Sequence, residues 1–173
     1  MTHSNCFSPV SSSRAKVLIL GSMPGKLSIE KNQYYAHPRN AFWFIMNTIL
    51  NIEPGTFYGK RITILQENGI ALWDVLKSCH REGSLDSSID DESTTPNNFY
   101  SFFSAHLKIS YVFFNGAKAE KEYNKYVLPT LVNKFNHLQY LRLPSTSPAL
   151  ASMTKDEKLD KWSIIGRRLA RTP

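Results

Sequence analysis

The chain has little of what builds disulfide-linked or metal-binding proteins. Only two of its 173 residues are cysteines, Cys6 and Cys79, and they stand far apart in the sequence. This usage predicts a reducing compartment and excludes a four-cysteine iron–sulfur cluster. The five histidines, at positions 3, 37, 80, 106 and 137, show no H-x-x-x-H spacing, which argues against a zinc site. We therefore expect neither a metal nor a cofactor.

Long apolar runs are also missing, and acidic residues are few. Because the N-terminus has no apolar stretch of signal or membrane length, we expect a cytoplasmic protein, nucleoid-associated in a prokaryote, that does not enter a membrane. Asp and Glu number 14 against 21 Lys and Arg, which gives a net charge of +7 and an isoelectric point near 9.4. The positive excess is spread along the chain and favours a polyanionic partner.

Four short apolar runs occur along the chain, with helical patterns between them. The runs cover residues 17–20, 70–75, 111–114 and 138–143. The helical patterns cover residues 41–50, 59–67, 117–127 and 155–170, the last beginning with a Thr154-x-x-Glu157 capping box. This alternation predicts an α/β fold, a three-layer α/β/α sandwich with a central, mainly parallel four-stranded sheet. We expect one domain over residues 14–173, preceded by a flexible N-terminal lead of residues 1–13.

The most informative segment follows the first predicted strand and reads GSMPGKLSIEKNQYYAHPRNAFW. Gly21 and Gly25 can take backbone angles closed to other residues, and such a turn lets bare backbone approach a ligand. The loop after the turn brings together several functional side chains, which are Tyr34, Tyr35, His37, Arg39 and Asn40. Ligands bind beyond the carboxyl ends of parallel strands, so this segment predicts a pocket there.

The order and spacing of these residues resemble motif 1 of the uracil-DNA glycosylase superfamily, and GSMPG with YYAHPRNxFW is most similar to its hypoxanthine (deoxyinosine) DNA glycosylase branch. The resemblance implies that Tyr35 stacks on a base flipped out of the duplex, with Gly21, Ser22 and Met23 beside it in the base pocket. It also implies that catalysis depends on Asn40. Other branches often carry a water-activating Asp or Asn where this chain has Ser22 and Met23, which argues against a uracil-specific mechanism.

An amide has no proton to give, so Asn40 would orient water or hold the charge that develops on an oxocarbenium-like sugar. Local structural roles remain open for the same segment. Asn40 or His37 could cap the following helix, and Tyr34 and Tyr35 could be packing residues.

Two later strand ends add polar residues. The third run leads through Asn115-Gly116 into a helix, and the Asn115 amide can pair with the carbonyl and ring N–H that hypoxanthine and uracil share, although Asn-Gly is also a common turn. The fourth ends in LRLPSTSPALA, which resembles the superfamily's motif 2, whose loop presses into the DNA minor groove. Hydroxyl groups there suit phosphate contact, and proline stiffens the loop. The side chains assigned to DNA contact are His37, Arg39, Ser145, Thr146, Ser147 and Pro148.

Other candidates are more open. After the second run, Asp74, Ser84 and Asp86 could line the pocket, although Asp74 could instead bond its own turn. Leu150 could wedge into the vacated base stack or belong to the core. The matching motifs contain no lysine except Lys26 and Lys118 at their margins, which favours a water-using enzyme over one with an amine nucleophile.

The sequence therefore predicts a monomeric, monofunctional DNA glycosylase. It would remove deaminated bases from DNA, with hypoxanthine favoured and uracil or xanthine as further candidates, and leave an abasic site. One alternative is a mismatch-specific uracil/thymine glycosylase. The other is a non-catalytic nucleic-acid or nucleotide-binding α/β domain.

Overall fold

The computed structural model contains both strands and helices and describes residues 2–81, 94–131 and 133–171. In chain order the elements are β1 (Thr2–Asn5), β2 (Val17–Gly21), α1 (Lys26–Lys31), α2 (Phe42–Ile49), α3 (Tyr58–Glu67), β3 (Ile70–Asp74), β4 (Leu76–Arg81), β5 (Thr95–Pro96), α4 (Phe99–Ala105), β6 (Tyr111–Asn115), α5 (Ala117–Glu122), β7 (Gln139–Leu143), α6 (Lys155–Trp162) and α7 (Ile164–Arg171). After α5 the chain continues as a π-helical segment, Tyr123–Val127, and a 3₁₀ turn, Leu128–Leu131.

The centre of the molecule is a four-stranded parallel sheet in the order β3-β2-β6-β7. Every residue of β2 and β3 is buried, which is why these strands read as continuous apolar runs. Alternate side chains enter two cores. Leu18 and Phe114 pack beneath α4 and α5, while Ile19 and Phe113 pack against α2, α3, α6 and α7. The predicted α/β fold with a central parallel four-stranded sheet is confirmed.

A second, small antiparallel sheet of order β1-β4-β5 was not predicted. Its strands THSN, LKSCHR and TP are short and mostly polar, so they give no hydrophobic periodicity to detect. The sheet includes part of the N-terminal lead, because β1 pairs with β4. Farther along the lead, Val10 and Leu72 exchange two backbone hydrogen bonds of 2.9 and 2.8 Å. Residues 2–10 are thus attached to the domain at several points.

The last predicted helix is divided at Ser163 into α6 and α7. Its predicted capping box is confirmed, since the Glu157 N–H donates to Thr154 Oγ1 at 3.2 Å and Glu157 Oε2 accepts from the Thr154 N–H at 2.7 Å. Thr154 Oγ1 also donates to Glu157 Oε2 at 3.0 Å, and the bonds that this carboxylate accepts from the Thr154 backbone and hydroxyl lower its pKa. Trp162 and Ile165 are buried in the core. No helix in the described ranges is long and apolar enough to cross a membrane.

Candidate active site

A cavity of about 690 Å³ opens at the carboxyl ends of the parallel strands, a volume within the usual range for small-ligand sites. Its walls come from the turn after β2, the loop before α2, the ends of β3 and β6, and the loop after β7. The sequence-predicted site residues that line it are Gly21, Ser22, Met23, Tyr35, His37, Arg39, Asn40, Asn115, Ser145, Thr146, Ser147 and Pro148. The structure therefore brings all of them together, while their individual roles stay predictions.

Tyr35 stacks on Phe42, with ring centroids 3.9 Å apart and planes inclined by 21°. One face of the Tyr35 ring is thus covered by the core, and the residue is half-buried at the cavity wall. Its φ of 55° lies in the left-handed region, which costs a residue with a Cβ about 1–2 kcal/mol. The surrounding contacts must hold the ring in this place against that cost.

Tyr34 is an anchor for the loop. Its backbone N–H donates to the Tyr58 hydroxyl at 2.9 Å, its carbonyl accepts from Trp43 Nε1 at 2.9 Å, and its hydroxyl donates to the Ser8 carbonyl at 3.4 Å. Burial, with a further effect from the Asp74 carboxylate, raises the pKa of the Tyr34 hydroxyl far above its ordinary value. The packing role left open in the sequence therefore belongs to Tyr34.

Asn40 lies just before α2 at the cavity wall. Its side-chain Oδ1 accepts a hydrogen bond from the Phe42 backbone N–H at 2.9 Å. A backbone N–H only donates, so this bond fixes which end of the amide carries the oxygen. Among the described residues Nδ2 has no hydrogen-bond partner. The oxygen thus caps the helix start while the amino group is left for a ligand, and the capping and catalytic interpretations are compatible.

Asn115 and Thr146 join the end of β6 to the loop after β7. Asn115 Oδ1 accepts from the Thr146 N–H at 2.8 Å, and Asn115 Nδ2 donates to Thr146 Oγ1 at 2.9 Å. The Thr146 carbonyl in turn accepts from the Ala41 N–H at 2.9 Å. Thr146 is only 1% exposed, and its hydroxyl accepts from Asn115, so it holds the loops together. This buried position differs from the phosphate contact that the sequence predicted. The Asn115 amide keeps one N–H and one lone pair for a base.

The loop after β7 also bonds to itself. The Ser147 N–H donates to Ser145 Oγ and the Ala149 N–H donates to Ser147 Oγ, each at 3.2 Å. Because both hydroxyl oxygens accept, their O–H hydrogens stay available for donation to a phosphate. Pro148 and Leu150 lie beside them at the cavity.

His37 and Arg39 occupy the outer part of the cavity. The Arg39 backbone N–H donates to His37 Nδ1 at 3.1 Å, so the neutral imidazole carries its hydrogen on Nε2. The Arg39 side chain is exposed. Both residues can therefore offer N–H donors toward an anion outside the cavity.

The floor of the cavity is tied to the neighbouring strands. The carbonyls of Gly21 and Ser22 accept from the N–H groups of Val75 and Leu76 at 2.9 and 3.1 Å. The side chain of Met23 belongs to one of the two cores, so it supports the floor from below.

Asp74 is buried at the floor and explains why position 21 is a glycine. Neither Gly21 nor Gly25 has a positive φ, so neither uses the backbone freedom that glycine offers. A Cβ on Gly21 would instead lie 2.5 Å from Asp74 Oδ1 and 3.3 Å from the Tyr35 hydroxyl oxygen. The carboxylate takes the space of a side chain. Ser84 and Asp86, the other candidates from this region, lie outside the described residues.

Sequence reasoning missed two supports of the site. Ser28 on α1 accepts a hydrogen bond from the Ala36 N–H at 3.1 Å and so braces the loop before α2. Trp162 on α6 donates from Nε1 to the Pro144 carbonyl at 2.9 Å and braces the loop after β7. The mostly polar sequence of α1 gave no helix signal, and the sequence around Trp162 does not show which carbonyl its indole N–H reaches.

Comparison with known proteins gives consistent matches. The sequence model of the Uracil DNA glycosylase superfamily matches residues 8–165. A hypoxanthine DNA glycosylase of Methanosarcina acetivorans is 40% identical over 163 residues, which are 93% of this chain and 96% of that protein. One of Methanosarcina barkeri is 40% identical over 114 residues, which are 65% of this chain and 71% of that protein. A solution NMR structure of a candidate uracil DNA glycosylase from Methanosarcina acetivorans superposes with a TM-score of 0.80 at 33% identity, covering 98% of this chain and 100% of that one.

Gly21→Ala tests the packing of the cavity floor. The added methyl group must displace the Asp74 carboxylate, and overpacking of this kind costs about 1–3 kcal/mol of unfolding free energy in urea titrations. In an Asp74→Ala background the same change should cost much less, because the carboxylate is gone and only the Tyr35 hydroxyl, at 3.3 Å, remains close. Gly166→Ala on α7 is the matched control, since its Cβ would meet only Ile49 at 3.4 Å. An equal cost in both backgrounds would show that Asp74 is not the obstacle.

Proposed function

The chain belongs to the uracil DNA glycosylase superfamily, and we propose that it is a monofunctional DNA glycosylase that hydrolyses the N-glycosidic bond of deaminated bases, hypoxanthine first. The observation that carries the proposal is the pairing, in one cavity, of an aromatic platform with an amide donor. Tyr35 is backed by Phe42, and Asn40 presents an unengaged amino group. The two relatives named hypoxanthine DNA glycosylases support the choice of base.

Base recognition begins with extrusion of the damaged nucleotide into the cavity. The base stacks on the Tyr35 face that Phe42 does not cover, which offsets part of the cost of unstacking. The N–H and lone pair left on Asn115 suit the carbonyl and ring N–H shared by hypoxanthine, uracil and xanthine. Uracil and xanthine are therefore further candidate substrates.

In hydrolysis, the bond between the sugar and the base breaks with its electron pair leaving on the base. A water oxygen then bonds to the anomeric carbon, and the proton that it loses passes through solvent to the departing base, which is released in its neutral form. Neither Ser22 nor Met23 can take that proton at neutral pH, so the water remains a weak nucleophile. The bond to the base therefore breaks, and the sugar becomes positively charged, before the water attacks. The Asn40 amino group can donate to the negative charge on the departing base. The second lone pair of Asn40 Oδ1, which Phe42 does not use, can orient the water. The Asp74 carboxylate at the cavity floor favours positive charge on the sugar.

The DNA strand itself would lie across the outer part of the site. The hydroxyl groups of Ser145 and Ser147, with His37 and Arg39, offer donors to backbone phosphates. The net charge of +7 supports a polyanionic substrate. We infer that the enzyme acts as a monomer in the cytoplasm, on nucleoid DNA in a prokaryote.

A lesion panel tests the function. Labelled duplexes with hypoxanthine, uracil, xanthine or thymine opposite each normal base are incubated with the purified protein, and abasic sites are then cleaved with alkali. We expect excision of hypoxanthine, with strand cleavage only after alkali because the mechanism uses water. Excision confined to uracil or thymine opposite guanine would favour the mismatch-specific alternative. No excision from any duplex would favour a non-catalytic binding domain.

Asn40→Ala and Asn40→Asp separate capping from catalysis. Loss of a preorganised donor typically lowers a rate about 10²- to 10³-fold. Loss of a helix cap costs only about 1 kcal/mol of unfolding free energy. Asn40→Ala should show both losses. Asn40→Asp keeps the capping oxygen and should lose the single-turnover rate on hypoxanthine duplexes while keeping the melting temperature.

If Asn40→Ala lowers the melting temperature and leaves the rate near normal, Asn40 is a cap alone. The catalytic group would then be sought among the other polar residues of the cavity, first Asp74 and then Asn115.

Replacements of Tyr35 test the stacking platform. Tyr35→Phe keeps the ring and should change excision little, whereas Tyr35→Ala removes a contact of about 1–3 kcal/mol with the base. Tyr35→Gly also relieves the left-handed backbone, so it should be more stable than Tyr35→Ala yet equally weak in single-turnover excision. Tyr34→Phe, the matched control, should alter stability alone. Full activity of Tyr35→Ala would make Tyr35 a packing residue.

A further inference from the structure

Lys158 on α6 is a buried lysine. The residue is 4% exposed, and its Nζ donates to the Ser147 carbonyl at 3.0 Å. Across the described ranges, no Asp or Glu oxygen forms an ion pair with it. Burial lowers the pKa of its ammonium group, as expected for a charge moved out of water. A charge in this state costs folding free energy that one neutral carbonyl offsets only in part.

The fold treats another buried charge differently. Glu122 on α5 is 0% exposed, and Lys118 one turn earlier pairs with it at 2.9 Å. Among the residues that the structure describes, Lys158 has no such partner. An unbalanced buried cation is retained more readily where a ligand supplies the counter-charge. The position of the Lys158 ammonium shows which ligand could do so.

The ammonium lies directly behind the loop of residues 144–150 that lines the cavity. The Ser147 carbonyl accepts from both Lys158 Nζ and the Leu150 N–H, the latter at 3.2 Å. One turn later on α6, Trp162 Nε1 holds the Pro144 carbonyl at 2.9 Å. Helix α6 therefore donates to two carbonyls of this loop, those of Ser147 and Pro144.

Holding carbonyls inward changes the polarity of the loop surface. Carbonyl oxygens carry partial negative charge, and two of them are occupied by donors from α6. The O–H hydrogens of Ser145 and Ser147 remain for the cavity side. The loop then presents donors in front and has a positive charge behind, an arrangement that suits an anion.

We propose that Lys158 is the positioning residue of the DNA-binding loop, holding the Ser147 carbonyl inward and supplying the positive charge that a DNA backbone phosphate on the loop balances. This inference rests on the proposed function, because it takes duplex DNA as the ligand. Lys158 itself does not touch the reacting atoms.

Salt-dependent binding separates this role from simple support of the fold. The probe is a duplex carrying one tetrahydrofuran abasic-site analogue, and its affinity is measured across a series of salt concentrations. Lys158→Met keeps the length of the side chain and removes the charge. Lys158→Gln removes the charge and keeps an N–H donor. Lys161→Met changes an exposed lysine of the same helix and is the matched control.

Both neutral variants of Lys158 should reduce the slope of log affinity against log salt by about one, the amount expected for one phosphate interaction. Lys161→Met should keep the wild-type slope. Single-turnover excision should fall in Lys158→Met and recover in part in Lys158→Gln, which can still bond the Ser147 carbonyl. If one of the two neutral variants does not fold, the salt slope measured for the other is sufficient to test the proposal.

A wild-type slope in a folded Lys158 variant would overturn the proposal, even if its stability or rate had fallen. The wild-type protein distinguishes this failure from failure of the proposed function. If wild-type protein excises hypoxanthine and the Lys158 variants keep its slope, only the role of Lys158 is wrong. If wild-type protein excises no base from the lesion panel, the proposed function fails.

Discussion

The double hydrogen bond between Asn115 and Thr146 is the constraint on which the shape of the cavity depends. It ties the last residue of β6 to the loop after β7, and the Thr146 carbonyl extends the connection to Ala41 before α2. Segments that are distant in sequence are thereby fixed to one edge of a rigid parallel sheet. A flipped base would meet walls already in place, so little conformational entropy would be lost on binding.

The same bonds decide what the cavity offers to a ligand. Oxygen atoms of Asn40, Asn115, Ser145 and Ser147 accept from backbone N–H groups, and His37 Nδ1 does likewise. The groups that these residues still offer to a ligand are therefore mostly N–H and O–H donors. The surface is thus rich in donors with few full cations, which suits phosphate oxygens and the acceptor atoms of a deaminated base.

Much of this could be predicted from the sequence, because buried parallel strands are continuously apolar and site residues gather where such strands end. The separate role of each residue within the site could not be predicted from the sequence. Tyr34 and Tyr35 are neighbours of the same type and both border the cavity, but only the fold shows that the polar groups of Tyr34 anchor the loop while the Tyr35 ring stacks on Phe42. The burial of Lys158 depends on how α6 meets the loop after β7, and that of Thr146 on how this loop meets Asn115 and Ala41. Contacts between such distant segments leave no local sequence pattern. The small sheet was missed because its strands are mostly polar.

The pairing of Val10 with Leu72 has a consequence for how the protein behaves in solution. Strand β3 stands at one border of the central sheet, and Val10 occupies backbone groups there that would otherwise be open to another chain. The opposite border, β7, exposes Gln139, Tyr140, Leu141 and Arg142, and the Arg142 guanidinium pairs with Glu120 at 3.1 Å. Val10 therefore blocks edge-to-edge association at this part of β3, and forms of the chain shortened past Val10 would expose the edge of an apolar strand to other chains.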